Sequence, residues 1–599
     1  MSSIIFEPIK RQVYCSEEIS IAEIARNAGV SLVSSCGSQG SCGKCKVRIL
    51  SGGVSPPTDK EIDKIGAEGI AHGYRLACLA RVYEDVTVEI PAESMVDSHQ
   101  LQVAGNGKTV ALEPVVQQYN ISLFPPDMLD QRSDQIAMFD YLNHEYGLKE
   151  IDIDLPVQRT LSNILRKFEW QAGIVLRNRE IIQTGKPEGR MLGLAVDLGT
   201  TKIAAYLADL QTGEILAAKG VINQQTTYGD DLMVRLAHAI EKDEKPLRIG
   251  ATEDINKLIA DLCSETNLDI EMIVEAVVVG NTAMHHLFLG LPVRQLALAP
   301  YIPAIRTSVD IKARDLGLNI APGAYIHMLP NIAGFVGADH VAVLIATEIY
   351  NTKKVSIAID IGTNTEITLS AHGKLFSTSC ASGPAFEGAH IKDGMRASNG
   401  AIEKIKITNS TVECKTINND PAIGICGSGI LDAVAQLRKA GVINRTGKMC
   451  DHPRIKGGPN GQEFVLVPAK DSGSGKDIVI NETDISEILL AKAAIAAGMN
   501  ILLEEAKLNF DDVEEIIIAG AFGSYIDVIS AIEIGMFPQL PVELFSQIGN
   551  AAGTGAKLAL LSKKQRDLAA DVSRKANYIE LTNHLQYLRK FSRAIRLPV

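Results

Sequence analysis

The sequence predicts a multidomain α/β protein, and three observations carry that prediction. The chain has 599 residues, well beyond the ~250–300 at which one hydrophobic core stops growing, so several domains are required. The segment that begins at Ala195 recurs at Ala358, 163 residues later, and each copy is a buried strand, a glycine turn and a second apolar strand. Five of the ten cysteines lie in the first 80 residues, which indicates a separate metal-binding domain.

Composition and charge exclude several classes of function. Hydrophobic residues make up 46% of the chain and charged residues 22%, as in ordinary globular proteins. Acidic side chains outnumber basic ones by 71 to 59, so the formal charge of −12 gives no basic surface for nucleic acid or an anionic membrane. No apolar run approaches the ~18 residues of a membrane helix, and the N-terminal segment lacks a signal-peptide profile. We therefore expect a cytoplasmic protein.

Changes of pattern along the chain divide it into four parts. Short apolar runs, turns and one helical stretch predict a small mixed sheet over residues 1–92, and a polar, glycine-containing stretch predicts a linker over 93–120. Residues 121–190 combine acidic turns, helical periodicity and an apparent hairpin, which predicts a small α+β middle domain. The duplicated segments assign residues 191–599 to one α/β unit of two lobes that face each other across a cleft.

Four cysteines of the N-terminal domain have the spacing of a metal-ligand set. Cys36, Cys42 and Cys45 form a C-x5-C-x2-C loop rich in Gly and Ser, and Cys78 follows alone. Four thiolates can hold a [2Fe–2S] cluster, and the glycines let the loop turn tightly around inorganic sulfide. Zinc is the competing interpretation, but zinc ribbons usually carry paired C-x2-C motifs, so the spacing favours the cluster. Cys15 has no partner at this spacing and is interpreted as a small buried side chain.

On these residues the N-terminal domain resembles a β-grasp ferredoxin. The plant-type spacing is C-x4-C-x2-C, so the additional residue between Cys36 and Cys42 makes the adrenodoxin-like subgroup the better match. The resemblance implies a one-electron carrier whose [2Fe–2S] cluster is held by the four cysteines.

Two copies of a D-x-G-T motif lie at strand ends in the duplicated unit. Asp197 and Asp360 each close an apolar strand, where a carboxylate can hold hydrated Mg²⁺ while the following Gly-Thr amides reach phosphate oxygens. A third segment, residues 515–523, is an apolar strand that ends in small residues, which leave room for adenosine beside the backbone. The sequence contains neither a Walker A lysine loop nor a dinucleotide fingerprint in its required context, which excludes P-loop and Rossmann domains.

In this order the motifs resemble those of the ATPase superfamily of actin, sugar kinases and heat-shock chaperones, which has a duplicated ribonuclease-H-like fold. The resemblance covers residues 193–561 and implies that ATP and Mg²⁺ bind between the lobes, with Asp197 and Asp360 as catalytic residues. The cofactor-binding residues that it implies belong to a first phosphate loop, a second phosphate loop and an adenosine loop: Gly199, Thr200, Thr201 and Lys202; Gly362, Thr363 and Asn364; and Gly520 and Gly523.

Two further acids are candidates for the hydrolytic step. Glu366 and Glu387 follow the second phosphate loop, and either carboxylate could orient the attacking water. Each is also compatible with a solvated acid, and the sequence does not decide which one acts.

A ferredoxin joined to such an ATPase resembles the reductive activators of corrinoid proteins. Segments 228–231 and 379–388 are similar to segments of that family. The resemblance implies that the chain takes an electron from a low-potential donor and passes it from its cluster to Co(II), which regenerates Co(I) for anaerobic methyl transfer. The acceptor is then the corrinoid protein of a methyltransferase system or a corrinoid iron–sulfur protein. The donor, the identity of that partner and the action of two copies as a homodimer stay open.

The energetics explain why an electron carrier would be joined to an ATPase. Plant-type clusters have reduction potentials of about −400 mV. For one-electron transfer, each ~59 mV by which the acceptor potential lies below the donor potential lowers the equilibrium constant tenfold. Transfer to a couple of lower potential therefore needs a second source of free energy. We expect ATP to supply it through lobe closure that favours one state of the partner.

Two other functions remain compatible with the sequence. The first is a small-molecule kinase of the same superfamily with a regulatory ferredoxin domain, although no motif identifies its substrate pocket. The second is an activator similar to those of 2-hydroxyacyl-CoA dehydratases, whose ATPase carries two close cysteine ligands for a shared [4Fe–4S] cluster. Cys380 and Cys426 would have to meet in the fold to serve that purpose, and two inert core thiols are the simpler interpretation.

Overall fold

A computed structural model provides the coordinates of the chain. It describes residues 2–7, 11–15, 19–27, 32, 40–41, 43, 45–91, 110–229, 231–408, 411–458, 461–520, 522–523 and 525–599. Two of the predicted cluster ligands, Cys36 and Cys42, and residues 93–109 of the predicted linker lie outside the described residues.

The N-terminal domain is a five-stranded mixed sheet with one helix packed across it. The strand order is β2-β1-β5-β3-β4, and the central strands β1 and β5 run parallel while the outer pairs are antiparallel. Ile4, Phe6, Val47 and Val88 lie in its core together with Ile24 of the helix, which gives the predicted β-grasp arrangement. Its elements are β1 (Ser2–Glu7), β2 (Arg11–Cys15), α1 (Ile21–Asn27), β3 (Lys46–Ser51), α2 (Asp59–Ile65), α3 (Ala67–Ala71), β4 (Tyr74–Leu76) and β5 (Val86–Glu89).

A second small module follows, with two helices on a four-stranded sheet of order β6-β8-β9-β7. In α5 the apolar residues Val157, Leu161 and Leu165 recur at helical spacing and are buried, so this face packs on the sheet. The first strand begins at Val116, so the boundary expected between residues 120 and 121 falls inside β6. The elements are β6 (Val116–Ser122), α4 (Asp134–Tyr146), β7 (Asp152–Ile153), α5 (Leu155–Lys167), β8 (Gln171–Arg177) and β9 (Glu180–Gly185).

The third unit, called lobe I here, is built on a six-stranded sheet of order β12-β11-β10-β13-β15-β14. Its central strands are mostly apolar and are buried along nearly their whole length, because helices cover both faces of the sheet. Its elements are β10 (Leu192–Leu198), β11 (Lys202–Asp209), β12 (Ile215–Ile222), α6 (Leu232–Glu241), α7 (Lys245–Thr266), β13 (Ile273–Val279), α8 (Thr282–Leu289), α9 (Arg294–Ala297), β14 (Val309–Lys312), β15 (Tyr325–Met328) and α10 (Ala338–Thr347).

The fourth unit, lobe II, has a six-stranded sheet of order β26-β25-β16-β17-β18-β27 and two small three-stranded sheets. Its elements are β16 (Ser356–Ile361), β17 (Thr365–Ala371), β18 (Lys374–Cys380), β19 (Ala401–Thr408), β20 (Thr411–Thr416), β21 (Gly424–Ile425), α11 (Gly427–Lys439), β22 (Ile455–Gly458), β23 (Gly461–Val467), β24 (Ile478–Asn481), α12 (Glu482–Glu505), β25 (Glu515–Ala519), α13 (Val528–Glu533), β26 (Phe545–Gly549), α14 (Ala551–Leu561), α15 (Lys563–Lys575), β27 (Ala576–Tyr578) and α16 (Tyr587–Ile595).

The two lobes repeat one topology, as the internal repeat predicts. In each lobe three antiparallel strands are followed by two parallel strands, so β12-β11-β10-β13-β15 of lobe I corresponds to β18-β17-β16-β25-β26 of lobe II. The register agrees, because Asp197 pairs with Val279 and Asp360 pairs with Ala519 on the next parallel strand. The carboxyl ends of these strands therefore bring equivalent residues to the same edge of each sheet.

Two helices join the lobes. Helix α10 follows the last parallel strand of lobe I, α14 follows that of lobe II, and the two helices pack against each other. Their backbones approach so closely that a Cβ at Gly555 would lie 2.1 Å from the carbonyl oxygen of Ala342. Residues of α14 belong to the core of lobe I, so the two lobes share packed structure behind the cleft.

Helix α12 corrects the expectation that no apolar run approaches the length of a membrane helix. Its 24 residues are long and apolar enough to span a membrane, with a mean hydropathy of 1.6 in the most apolar window. Its length was missed because the single lysine, Lys492, interrupts the apolar run. Within the protein, 78% of that window is buried, as expected of a core helix.

Candidate functional site

A cleft of about 490 Å³ lies between the two lobes. Twelve of the thirteen predicted nucleotide-site residues line it: Asp197, Gly199, Thr200, Thr201, Lys202, Asp360, Gly362, Thr363, Asn364, Glu366, Glu387 and Gly520. The exception is Gly523, where a Cβ would lie 2.3 Å from the carbonyl oxygen of Ala519, so this glycine packs against the end of β25.

The first phosphate loop is the tight turn between β10 and β11. Two side chains hold its backbone by hydrogen bonds. The Asn223 side chain donates to the carbonyl oxygen of Gly199 at 2.9 Å, and the buried Arg235 side chain donates to the carbonyl oxygen of Thr200 at 2.6 Å. Asn281, which follows β13, donates to the Thr200 hydroxyl at 2.8 Å. These contacts hold the turn in one conformation without a ligand.

The second phosphate loop is the equivalent turn between β16 and β17. The Thr363 hydroxyl donates to Glu387 at 2.7 Å, and the amide of Gly362 donates to the carbonyl oxygen of Asn364 at 3.1 Å. The hydroxyls of Thr201 and Thr363 lie 3.4 Å apart. The two loops therefore meet across the cleft, and one polyphosphate can contact both.

Four carboxyl groups face the same space, of which Glu366 is buried and Asp197, Asp339 and Asp360 are partly buried. Burial and the charge of Asp197 raise the pKa of Asp360 to about 7, and burial raises that of Asp197 to about 6 despite a hydrogen bond from Asn550 at 2.9 Å. Burial and the charge of Asp360 raise the pKa of Asp339 to about 8, and burial holds that of Glu366 well above its usual range. Acids that resist ionisation in this way favour a bound cation that would neutralise them.

The candidate acids for the water have different surroundings. Glu366 is 6% exposed and accepts from the Ser379 hydroxyl at 3.1 Å, whereas Glu387 is engaged by Thr363. Neither Glu366 nor Glu387 is therefore a solvated surface acid, which was the other interpretation of these residues from the sequence. Asp339, at the start of α10, lies in the same cleft and was not identified from the sequence.

The adenosine side is marked by the turn after β25. Gly520 has a φ of 91°, and a Cβ there would lie 2.4 Å from the carbonyl oxygen of Ile361 and 2.8 Å from Asp360 Oδ1, so only glycine fits. Beside it the rings of Phe386 and Phe522 are stacked, with centroids 5.0 Å apart. This apolar surface lines the cleft near the end of the strand, where the sequence predicts the nucleoside.

Sequence reasoning missed several residues of the cleft, and four of them bear on its chemistry: Asn281, Asp339, Arg396 and Asn550. Three of them follow parallel strands of the duplicated sheets, as Gly520 does. Asn281 lies in a turn of small residues directly after the apolar strand β13, so matching the two repeats strand by strand identifies it. Asp339 and Asn550 reach the cleft through helices from opposite lobes, which no local motif indicates.

The predicted cluster site is described in part. The Sγ atoms of Cys45 and Cys78 lie 3.3 Å apart, close to the ~3.8 Å expected for two thiolates about 2.3 Å from one tetrahedral metal. Gly43, between Cys42 and Cys45, has a φ of 71°, which only glycine adopts at low cost. Among the described residues no third metal-binding side chain joins Cys45 and Cys78, and two of the four predicted ligands lie outside the described residues. The described half of the site fits a metal–sulfur group.

Comparison with protein families accounts for nearly the whole chain. Residues 4–83 match the 2Fe–2S iron–sulfur cluster binding domain, and residues 105–187 match the RACo linker region. Residues 192–352 match the RACo middle region, and residues 354–599 match the C-terminal domain of RACo, the ASKHA domain. The chain therefore has a domain for a [2Fe–2S] cluster and an ATP-binding ASKHA domain.

Individual relatives agree with these matches. The corrinoid activation enzyme RamQ of Eubacterium limosum is 32% identical over 98% of this chain and 98% of its own length. The [Co(II) methylated amine-specific corrinoid protein] reductase of Methanosarcina barkeri is 28% identical, over 64% of this chain and 73% of its own. A solved structure of a reductive activator for corrinoid, iron–sulfur protein has a TM-score of 0.74, with 34% identity over 100% of this chain and 98% of that one. The chain belongs to the family of reductive activators of corrinoid proteins.

Proposed function

We propose that this chain is an ATP-hydrolysing electron-transfer activase that passes one electron from a [2Fe–2S] cluster to the Co(II) of a corrinoid protein and so regenerates Co(I). One observation carries the proposal: a single chain contains both a pair of neighbouring thiols and a cleft between two duplicated lobes. This combination occurs in a chain that matches 98% of a relative named for corrinoid activation. The cluster supplies a one-electron carrier when bound.

Different residues of the cleft bind the metal ion, the phosphates and the adenosine of ATP. Asp197 and Asp360 would hold Mg²⁺, because this ion is usually bound by one or two carboxylates together with substrate phosphates. The hydroxyls of Thr200 and Thr201 and the Lys202 ammonium bind the phosphates, while Thr363, whose hydroxyl donates to Glu387, lines the same cleft. The backbone at Gly520 and the Phe522 ring border the adenosine.

The hydrolytic step needs a carboxylate that can accept a proton near neutral pH. Glu366 is the candidate for this role, because it lines the cleft and its burial beside Asp339 and Asp360 raises its pKa, which makes its carboxylate a stronger base. Glu387 has a different role in this proposal, since its hydrogen bond to Thr363 orients the second phosphate loop. Asp339 supports the same water from the opposite lobe.

In this proposal ATP favours electron transfer by closing the cleft between the two lobes. A nucleotide that contacts both phosphate loops favours closure, and a partner with different affinity for the closed and open forms couples that closure to its redox state. We assign the ferredoxin domain to residues 1–92 and the ATPase to residues 191–599, with a linker that ends before β6 and a middle domain that begins with that strand at Val116 and ends at residue 190.

The partner is a corrinoid protein of a methyltransferase system or a corrinoid iron–sulfur protein, as the names of the relatives suggest. The upstream donor is a low-potential reductant. We also propose that the chain works in the cytoplasm.

The test mixes reduced protein, Mg-ATP and a Co(II) corrinoid protein and follows the Co(I) absorption band. We expect Co(I) only with ATP, and we expect Cys78→Ser to abolish both the visible cluster absorption and Co(I) formation while ATP hydrolysis continues. Cys450→Ser is the matched control, because Cys450 is an exposed thiol far from the cluster loop in sequence. Formation of Co(I) at the same rate without ATP, or phosphorylation of a metabolite instead, would refute the proposal.

The alternative functions have weaker support. None of the relatives described above is named as a kinase. Cys380 packs against α12, where a Cβ at Gly498 would lie 2.4 Å from its Sγ, and Cys426 donates to the carbonyl oxygen of Ile402 at 3.2 Å. Both thiols are buried, so neither is available as a ligand at an exposed cluster shared between subunits.

A further inference from the structure

Arg396 is a cleft residue with a polar group that the protein itself does not satisfy. Its Nη1 atom is buried and has no hydrogen-bond partner in the described structure, although the cleft also contains several acids. A guanidinium is always charged, and leaving one of its donors buried and unpaired is unfavourable. An anionic ligand with oxygen acceptors would satisfy this donor.

The backbone around Arg396 is held in place. The amide of Met395 donates to the carbonyl oxygen of Ile425 at 2.9 Å, and Gly394 bridges to the same strand. A Cβ at Gly388 would lie 2.6 Å from the Met395 carbonyl oxygen, so the two segments are in close contact. The side chain therefore projects from a fixed segment of lobe II, which limits the entropy lost on binding.

Arg396 lies near the phosphate loops. Its charge lowers the pKa of Lys202, which burial already lowers and Glu387 raises. Glu387 in turn accepts from Thr363, whose hydroxyl faces Thr201. Lys202 begins β11 of lobe I, whereas Arg396 precedes β19 of lobe II, so two cations face one anion site from opposite lobes.

We propose that Lys202 of lobe I and Arg396 of lobe II both bind the terminal phosphoryl group of ATP, so that a triphosphate holds the cleft closed and a diphosphate does not. The inference rests on the nucleotide site of the proposed function and adds the contact that distinguishes ATP from ADP. The planar guanidinium can donate two parallel hydrogen bonds to one phosphoryl group, while the ammonium acts as a point charge. Loss of that group on hydrolysis removes the bridge and frees the lobes.

The experiment measures the affinity of the full chain for Mg-AMPPNP and for Mg-ADP by calorimetry. We expect Arg396→Ala to weaken AMPPNP binding by roughly tenfold or more, as for loss of a charge-assisted hydrogen bond, and to change ADP binding by less than about twofold. The AMPPNP affinity of Arg396→Lys should fall between those of the wild type and Arg396→Ala, because lysine keeps the positive charge but cannot donate two parallel hydrogen bonds. Lys406→Ala, an exposed cation on β19 outside the cleft, is the matched control and should behave as the wild type.

Hydrogen exchange at Thr200 and Thr201 provides the second measurement. AMPPNP should protect these lobe I amides more than ADP does in the wild type, and this difference should disappear in Arg396→Ala. An equal loss of affinity for both nucleotides, or no loss, would overturn the role of Arg396 and leave the nucleotide site intact. Failure of the wild type to bind either nucleotide would instead overturn the proposed site itself, and the inference with it.

Discussion

Glu61 shows how one buried residue supports the cluster domain. Its side chain is fully buried and accepts hydrogen bonds from Arg75 Nε at 2.9 Å and Nη2 at 3.0 Å, from the amide of Leu76 at 3.1 Å and from that of Thr58 at 2.9 Å. Burial raises the pKa of Glu61, but these hydrogen bonds and the Arg75 charge outweigh it and lower the pKa below 4.5. The network fixes β4, which leads directly to Cys78.

Glu61→Gln should therefore destabilise the ferredoxin domain. The change leaves the buried Arg75 guanidinium without its counter-charge, which typically costs ~3–5 kcal/mol. Because the folded-state pKa is depressed, the stabilisation is fully present at neutral pH and is lost as pH falls below about 4.5. Loss of visible cluster absorption on heating and on acidification measures both effects. Asp63→Asn, an exposed acid on the same helix, should leave the melting curve unchanged.

The acids of the cleft have the opposite relation to stability. Asp360 has a pKa raised from 3.8 to about 7 by burial and by Asp197, so the folded state binds its proton more tightly than the unfolded state does. Its contribution is greatest at low pH and is lost as pH rises through about 7. Without a divalent cation, ionised Asp197 and Asp360 repel each other.

Asp360→Asn should therefore stabilise the metal-free protein and inactivate it. We expect a higher melting temperature in EDTA at pH 8 together with at least ~10²-fold slower ATP hydrolysis in Mg²⁺, since the variant lacks a carboxylate that places the metal. Glu214→Gln, an exposed acid of the β11–β12 turn, should change neither quantity. A variant that hydrolyses ATP at the wild-type rate would remove Asp360 from the site.

At the scale of elements, the sequence predicts those strands and turns whose residues form a local pattern. The strands that carry Asp197 and Asp360 are buried on both faces, so they are continuous apolar runs that end in a turn, and the repeat is visible by eye. Asn550 and Asp339 could not be assigned in this way. They meet Asp197 and Asp360 only because α10 and α14 cross between the lobes, and that contact depends on the tertiary fold.

Strand β6 explains why the linker was expected to extend to residue 120. It is an edge strand, paired on one side with β8, and its residues Gln117, Gln118 and Asn120 are polar and partly or fully exposed. Only Val116 and Ile121 are buried. A polar edge strand has the composition of a loop, because half of its surface and one row of its backbone groups face water.

The C-terminal helix depends on one buried lysine. Lys492 in α12 is 1% exposed, and its ammonium donates to the carbonyl oxygens of Ala594 and Arg596, the latter at 3.0 Å, at the end of α16. A cation at this end of a helix is favourable, but burial lowers the pKa of Lys492 from 10.5 to about 8. Between these two values the unfolded chain binds the proton and the folded protein releases it.

Stability should accordingly rise with pH between about 8 and 10.5 in the wild type, because the unfolded state holds more protons over that interval. Lys492→Met removes the titrating group while keeping most of its volume, so this part of the rise should be absent. The measurement compares the melting temperatures of both proteins at pH 7.5 and pH 10. Lys590→Met, at a lysine of α16 paired with Glu504, is the control. Identical pH dependence of wild type and Lys492→Met would contradict the assignment.

At the scale of the whole molecule, charged contacts attach the module of β6–β9 to lobe I. Arg177 of β8 donates to Glu275 of β13 at 2.9 Å and to Asp310 of β14 at 2.6 Å, and Arg566 of α15 donates to Glu275 at 2.6 Å. The side chains of Arg177, Glu275 and Arg566 are at most 6% exposed. This module is therefore fixed on the ATPase, while the ferredoxin domain has a hydrophobic core of its own.

Loss of Arg177 should loosen that attachment. In Arg177→Met the buried Glu275 keeps only Arg566, and breaking a buried ion pair on one side typically costs ~3–5 kcal/mol. We expect limited proteolysis to cut near residues 185–192 in the variant but not in the wild type, with ATP hydrolysis retained and ATP-dependent Co(I) formation slowed. Arg179→Ala is the matched control, because the Arg179–Glu150 pair is exposed and such pairs contribute only ~0–1 kcal/mol. In the proposed function the ferredoxin domain is covalently connected to the ATPase through this module, so a loosened module should lower the effective concentration of the cluster at the acceptor and slow electron delivery without changing ATP hydrolysis. Equal loss of both activities would instead show that strand β13, which runs from Glu275 towards Asn281, transmits the damage to the first phosphate loop.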